Sequence, residues 1–355
     1  MNKYRLSIII IFLTGLTSFA QNPRLALYES SPMLVNPAFT GFYAGKIRVS
    51  AHGSYMATNI EKNLHTNTSI EIRSNYDESD PLPRKFAAVG LNFYRYGHSS
   101  SPLSAMFPSL SFAYHSFIDR RRRHGISVGF QGAYAMGTFN ASKSGLREPD
   151  WEISGGGFAT KFQRNALQTS TLSYLDFSVG GIYSYKAREL DLELGLSMSH
   201  LLYPKTDIFK DPETKQRHRG VASLKVGFEL SQTKKVYFKS LYWRDGLFWL
   251  SNSLNDTTGE YIIGGLKAHF WLGLELSSKP LDDRNLVLSY GFFTRSLNTI
   301  MPVVEATYKK NYVLRATYEQ PINSVNFNAY RARRFELALV MYLNPRGKVV
   351  PFTED

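Results

Sequence analysis

The chemically reactive side chains of this sequence form no recognisable catalytic or metal-binding motif. Its eight histidines are dispersed, and none lies in an HExxH pattern or in a close pair with metal-ligand spacing. Ser199 and His200 are neighbours, but successive side chains on a strand point to opposite faces, so they cannot form a triad with Asp176. The GxSxG spacing occurs at GISVG, residues 125–129, but within a predicted strand and not at the strand-to-helix turn of a nucleophile elbow. We therefore expect no catalytic residue, no metal site and no enzyme, with a barrel lipase as the enzymatic alternative.

A glycine-rich stretch, SGGGFATKF, covers residues 154–162. Its glycines lack the GxGxxG spacing of dinucleotide-binding loops and the GK[ST] ending of phosphate-binding loops. We interpret it as a flexible part of a long loop and expect no cofactor.

The most basic cluster is DRRRRHG, at residues 119–125. Its consecutive arginines are Arg120, Arg121, Arg122 and Arg123. One interpretation is a solvated hairpin turn near the membrane face. The other is a contact with an acidic periplasmic partner or with lipid headgroups. The sequence leaves both open.

Most of the chain alternates between apolar residues and small or polar ones, which is typical of strands. In the segment RRFELALVMYLN, Phe335, Leu337 and Leu339 point one way. Glu336 and Ala338 point the other way. Fourteen such segments can be counted, an even number, as in bacterial single-chain barrels. They lie near residues 46–57, 67–74, 86–97, 107–118, 124–138, 174–186, 189–200, 219–232, 235–253, 260–276, 285–295, 300–309, 312–320 and 333–344.

This pattern predicts an all-β fold, a transmembrane antiparallel β-barrel of about 14 strands with an N-terminal lead-in or plug segment. The segments at 235–253 and 260–276 are long for single strands. Either could split at a bend such as Asp245-Gly246, which leaves the count open by about two strands.

The composition favours the same fold. Aromatic residues make up 14% of the chain and charged residues only 20%, as expected for a lipid-facing apolar band between aromatic girdles. The absence of cysteine excludes disulfides. The formal net charge of +13 suits outer-membrane lipid, lipopolysaccharide or acidic protein partners. No nucleic-acid partner is expected of an exported protein.

The N-terminus has the pattern of a cleaved signal peptide. Lys3 and Arg5 precede an apolar run at 6–16, and Ser18-Phe19-Ala20 provides a small-x-small cleavage site. We expect an integral outer-membrane protein with four regions. These are a signal peptide at 1–20, a periplasmic lead-in or plug at 21–45, the barrel at 46–344 and a C-terminal tail at 345–355.

The lengths of the connections predict the orientation, because outer-membrane barrels have short periplasmic turns and longer outer loops. Connections at 119–123 and near 187 and 233 are short. Those at 138–173, 201–218 and 321–332 are long, and we expect them to lie outside and to contact a partner. Trp151 and Phe158, in the first of these loops, are candidate contact residues.

The stretch SSPMLVNPAFTGFYAG, residues 30–45, fits neither a helix nor an alternating strand. Pro32 and Pro37 fix φ and remove backbone donors, and Gly41 permits a turn before the first strand. We predict that its apolar residues plug the periplasmic mouth or the lumen. These residues are Met33, Leu34, Val35, Phe39 and Phe42. The alternative is a disordered lead-in.

Three stretches resemble the PorP/SprF family of Bacteroidota outer-membrane proteins. At residues 28–41 the family pattern matches Tyr28, Pro32, Asn36, Pro37, Ala38 and Gly41. Residues 175–204 resemble the family's mid-chain hairpin, and RRFELALVMYLN resembles its closing strand. The chain departs from the family at HGSYMA (52–57), where members carry Tyr-Arg and Gln-Trp pairs, and at Phe335, where members carry His.

The resemblance implies a non-enzymatic component of the type IX secretion and gliding machinery, working with other secretion components. It further implies that the barrel recognises the C-terminal sorting domain of a secreted adhesin and exports it or anchors it at the surface. An outer-membrane channel for a small solute is the alternative function.

Overall fold

The computed structural model describes most of the predicted barrel and the segment before it. The described residues are 25–43, 45–57, 62–74, 83–97, 103–139, 170–187, 189–202, 204, 218–231, 234–245, 268–278, 286–295, 297, 299–322 and 333–343. The signal peptide and tail predicted at 1–20 and 345–355 lie outside them, as do Trp151 and Phe158.

Fourteen antiparallel strands close into a barrel in which each strand pairs with its sequence neighbours. The strands are β1 (Ile47–Ala57), β2 (Lys62–Arg73), β3 (Lys85–Tyr96), β4 (Leu103–Phe117), β5 (His124–Phe139), β6 (Ser170–Lys186), β7 (Leu190–Ser199), β8 (Arg219–Ser231), β9 (Lys234–Asp245), β10 (Ala268–Ser278), β11 (Leu286–Arg295), β12 (Thr299–Tyr308), β13 (Tyr312–Pro321) and β14 (Arg333–Leu343). The barrel closes where β1 pairs with β14, from Ile47 opposite Leu343 to Ala57 opposite Arg333. The predicted 14-strand fold is confirmed.

The observed strand limits differ from the predicted ones at a few ends. β2 begins at Lys62 rather than near 67. The mostly polar run KNLHT shows no clear alternation in the sequence, but its backbone pairs with β1. β6 begins at Ser170 rather than 174. The predicted segments 235–253 and 260–276 overlap β9 and β10, and their remaining parts lie within 246–267, outside the described residues.

Side-chain burial is inverted relative to a water-soluble protein. Charged residues such as Glu71 and Glu336 are completely buried inside the barrel, whereas Leu91, Leu110 and Phe292 on the outer face are 56%, 55% and 66% exposed. A continuous apolar outer face is stable only against hydrocarbon, so the outer face is the membrane-facing surface. The lumen holds the polar side chains.

Turn lengths orient the barrel. The described turns at 118–123 and 309–311 are short, and they lie at the end where the chain enters β1 and leaves β14. The connections at 140–169 and 200–218 lie at the opposite end and are long. Because outer-membrane barrels have short periplasmic turns, we assign the short-turn end to the periplasm.

Before β1 the chain forms three short 3-10 helices, Tyr28–Ser30, Pro32–Leu34 and Pro37–Phe39. Among the described residues, no helix has the length and apolar character needed to span a membrane. These helices lie inside the barrel, as the contacts described below show.

If the apolar outer face lies in the membrane, the cost of a charged residue on it depends on the depth of that residue. Leu110 lies at the middle of β4, and Leu230 lies one residue from the periplasmic end of β8. We expect Leu110→Arg to lower the free energy of unfolding in lipid by about 2–4 kcal/mol and Leu230→Arg by about 0–1 kcal/mol. Denaturant titration of the two variants measures both values. Equal costs would contradict the membrane-facing assignment.

Candidate functional site

The candidate functional site is the contact between the barrel wall and residues 25–43, which we call the plug. The plug is irregular, so its own turns satisfy only part of its backbone hydrogen bonds. Asn36 stabilises the last helix by accepting a bond from the Ala38 amide, at 2.9 Å. Its side-chain amide donates to the carbonyls of Gly181 and Leu196 at 3.1 and 3.2 Å, which fastens this turn to β6 and β7.

Two wall glycines leave space for the same turn. Gly129 and Gly180 face the lumen on β5 and β6. A Cβ atom at Gly129 would overlap the backbone of Pro37 and Ala38, and one at Gly180 would overlap the Asn36 side chain. Glycines at these two wall positions therefore leave the space that the Asn36-Pro37-Ala38 turn occupies.

Glu336 of β14 is the main anchor at the other end of the plug. Its carboxylate accepts the Ala26 amide at 2.8 Å and the Leu27 amide at 2.9 Å. His52 Nε2 lies 3.2 Å from the same carboxylate, and the Ser54 hydroxyl donates to it at 3.1 Å. The Glu336 side chain is fully buried. A buried carboxylate is stable only when hydrogen-bonded, so the plug and Glu336 need each other.

Glu29 of the plug forms a second, reciprocal set of contacts. Its carboxylate lies 3.2 Å from Lys225, 2.6 Å from Lys239 and 3.1 Å from Arg315. Lys239 also pairs with Glu275 at 2.8 Å. Three cations from β8, β9 and β13 thus converge on one plug residue, which joins this side of the wall to the plug.

Glu71 of β2 fixes the end of the plug next to β1. It accepts the Gly41 amide at 2.8 Å and pairs with Arg48. The Tyr43 hydroxyl donates to the Glu71 backbone carbonyl at 2.9 Å, and the Arg48 guanidinium lies over the Tyr43 ring. Gly41 has a φ of +74°, and a Cβ there would overlap Ala88, so both conformation and space require glycine.

Aromatic contacts add apolar packing inside the lumen. Tyr28 meets Trp271 edge-on, with ring centroids 5.0 Å apart, and Trp271 stacks on Phe293 at 4.2 Å. Phe42 stacks on His115 at 5.9 Å. The predicted packing of the apolar N-terminal segment inside the barrel agrees with this geometry.

One hydrogen-bonded group has the order serine, histidine, glutamate. The Ser31 hydroxyl lies 3.0 Å from His52 Nδ1, whose other ring nitrogen contacts Glu336. Ser31 is 2% exposed and also accepts a bond from Asn67. These bonds cross from plug to wall, and burial keeps substrate from the hydroxyl, so the geometry suits a structural role.

The histidine pairing considered from sequence is partly present. His200 Nδ1 lies 2.8 Å from the Asp176 carboxylate. His200 follows Ser199, the last residue of β7, and has a φ of +62°, so the strand alternation assumed from the sequence does not extend to this pair. No group of three potential metal ligands occurs in the part of the chain that the structure describes.

The predicted basic turn joins β4 to β5 and is closed by its own backbone. The Ile118 amide donates to the His124 carbonyl at 2.9 Å. The His124 amide donates to the Asp119 carboxylate, also at 2.9 Å, and lowers the pKa of that group. The exposed side chains of Arg120, Arg121 and Arg123 extend into solvent from this frame.

The six family-motif residues all lie in the plug and are buried there. They are Tyr28, Pro32, Asn36, Pro37, Ala38 and Gly41. The wall residues that bind the plug were not singled out as a site. In the sequence they can be recognised as charged residues at lumen-facing positions of strands whose other residues are mostly apolar or small, as with Glu71, Glu275 and Glu336.

A family model described as "Type IX secretion system membrane protein PorP/SprF" matches residues 17–341. The chain belongs to the PorP/SprF family. Membership agrees with the integral β-barrel and with a location in the outer membrane, and it assigns the barrel to type IX secretion. No match was found among curated proteins.

Solved outer-membrane barrels show a general likeness to this PorP/SprF member. The P. putida toluene transporter TodX is 8% identical, with 88% of this chain and 93% of that chain covered and a TM-score of 0.48. The CymD monoaromatic hydrocarbon channel is 9% identical, with 89% and 93% covered and a TM-score of 0.47. The translocator domain of autotransporter NalP from Neisseria meningitidis is 12% identical, with 84% and 88% covered and a TM-score of 0.38. Such distant likenesses carry no functional argument.

The Glu336 anchor can be tested by removing its charge. We expect Glu336→Gln to weaken the closed position of the plug by about 2 kcal/mol, so that chymotrypsin cuts at Phe39 roughly 30-fold faster in the folded barrel. Glu189→Gln, at an exposed turn residue, is the matched control and should leave the cleavage rate unchanged. Equal protection of the plug in both variants would contradict the anchoring role.

Proposed function

We propose that this protein is a non-enzymatic docking barrel of the type IX secretion and gliding machinery. It binds the C-terminal sorting domain of a secreted surface adhesin and either aids export of that adhesin or anchors it at the cell surface. Family membership supports the secretion role. The filled lumen supports the docking role, and this is the observation that carries the proposal.

The plug opposes passage of cargo through this barrel. Its contacts reach strands on different sides of the lumen, since Glu336 lies on β14, Glu71 on β2 and Lys239 on β9. Expelling the plug would leave these buried groups only their wall partners, such as His52, Arg48 and Glu275, at a cost of about 1–3 kcal/mol for each lost plug contact. Cargo is therefore handled at the surface of the barrel.

The long connections are the proposed contact surface for the adhesin domain. Between the strand ends they are 140–169, 200–218 and 322–332, at the end opposite the short turns. Trp151 and Phe158 offer apolar contacts within the first, because aromatic residues are enriched at protein interfaces. Lipopolysaccharide around the outer rim is a further proposed partner, attracted by the basic balance of the chain.

Loop trimming tests this assignment. We expect the purified barrel to retain the adhesin's C-terminal domain in a pull-down. Replacing 140–169 with a short Gly/Ser linker should reduce retention at least about tenfold, as loss of central interface residues does. Shortening the periplasmic stretch 279–285 is the control and should have no effect. Unchanged retention after trimming all three outer loops would contradict the loop assignment.

The alternative, a channel for a small solute, makes the opposite prediction about the lumen. Steady single-channel currents from the pure protein in a planar bilayer would favour the channel. A barrel that stays closed would favour docking.

A further inference from the structure

A cavity of about 320 Å³ opens at the periplasmic end of the lumen, beneath the plug. Arg48 at the start of β1, Tyr342 near the end of β14 and Lys310 in the β12–β13 turn line it, together with Phe42 and Tyr43 of the plug. Its size falls in the range of ligand pockets, roughly 300–1,000 Å³. Plug residues line it on the lumen side, and most of its other lining residues lie at the periplasmic ends of strands.

The cavity wall combines aromatic faces with cations. The Tyr237 ring is approached by three lysine ammonium groups, those of Lys225, Lys235 and Lys239, at 5.1, 5.7 and 5.6 Å from its centroid. Such rings hold ammonium groups by cation–π attraction. Two acids, Asp191 and Glu193, also line the cavity, and Asp191 pairs with Lys235 at 2.5 Å.

Lys310 is the cation best placed to meet a ligand. It lines the cavity from a three-residue turn, and it has no ion-pair partner within the described part of the chain. Its φ of +57° places it in the left-handed region, as does the φ of +49° of Lys309. Lys309 does not line the cavity, and its ammonium lies over the Tyr308 ring at 5.3 Å.

The turns that the structure describes around the cavity are basic. Among the described turn residues at this end, eight are cationic and two are acidic. The cations are Lys46, Arg84, Arg120, Arg121, Arg122, Arg123, Lys309 and Lys310, and the acids are Asp119 and Glu189. With the connections at 75–82, 188 and 279–285, the sequence places eleven cations and seven acids between the strands at this end, and a net positive charge steers anionic partners toward the opening.

We propose that this cavity binds an acidic, extended segment of a periplasmic protein. Carboxylates of the segment meet Lys310 and the basic turns, and its apolar side chains pack on the aromatic walls. The lumen-facing position of the cavity favours a peptide over a lipid, because lipids contact the opposite faces of the strands. This site is separate from the proposed adhesin contact at the outer loops.

Binding of a labelled peptide to the full-length barrel in zwitterionic nanodiscs tests the proposal. The probe is a short fluorescent peptide of alternating Glu and Val, and the control peptide alternates Gln and Val. We expect Lys310→Asn, which keeps a residue tolerant of left-handed φ, to weaken binding of the acidic peptide about tenfold, as when a charge-assisted hydrogen bond is lost.

Lys309→Asn is the matched control, with the same charge change and the same backbone conformation outside the cavity. It should weaken binding by no more than about threefold, as for an exposed charge. Equal losses in the two variants, or equal binding of the neutral peptide, would overturn the proposal. So would displacement of the peptide when the nanodisc lipid is changed to phosphatidylglycerol, since the cavity would then be a headgroup site.

Discussion

An irregular segment can be buried only if another part of the molecule bonds its backbone, and in this barrel the Glu336 carboxylate supplies that partner. It accepts hydrogen bonds from the Ala26 and Leu27 amides, and His52 and Ser54 of β1 contact the same carboxylate. Without the plug, Glu336 would be a buried, poorly paired charge. Without Glu336, this end of the plug would lose its main partner. The remaining wall contacts extend the same reciprocity around the lumen.

The polar lumen explains how a chain without cysteine fixes an irregular segment. Charged groups are costly inside a membrane protein unless they pair. Here a plug carboxylate pairs with cations of the wall, and wall carboxylates accept hydrogen bonds from plug amides. The plug residue Glu29 pairs with wall cations such as Lys239, and the wall residue Glu71 accepts a hydrogen bond from the Gly41 amide. The small wall residues at Gly129 and Gly180 then set how closely the Asn-Pro-Ala turn can approach.

Period-two alternation was sufficient to predict the strands, since each lumen residue lies between two lipid-facing ones, as Glu336 does between Phe335 and Leu337. It failed at the start of β2, where polar residues continue a strand that only pairing with β1 defines. The prolines and apolar residues of the plug predicted an irregular buried segment. Its partners could not be predicted, because Ala26 and Glu336 lie far apart in sequence and meet only when the barrel closes.

Hydrogen–deuterium exchange of residues 25–43 in the folded, lipid-embedded barrel tests the central claim most directly. If the plug is held by buried carboxylates, the amides of Ala26, Leu27 and Gly41 should exchange as slowly as those of β1 and β14. Exchange of these three amides at the rate of an unstructured peptide, while the strands stay protected, would contradict the account.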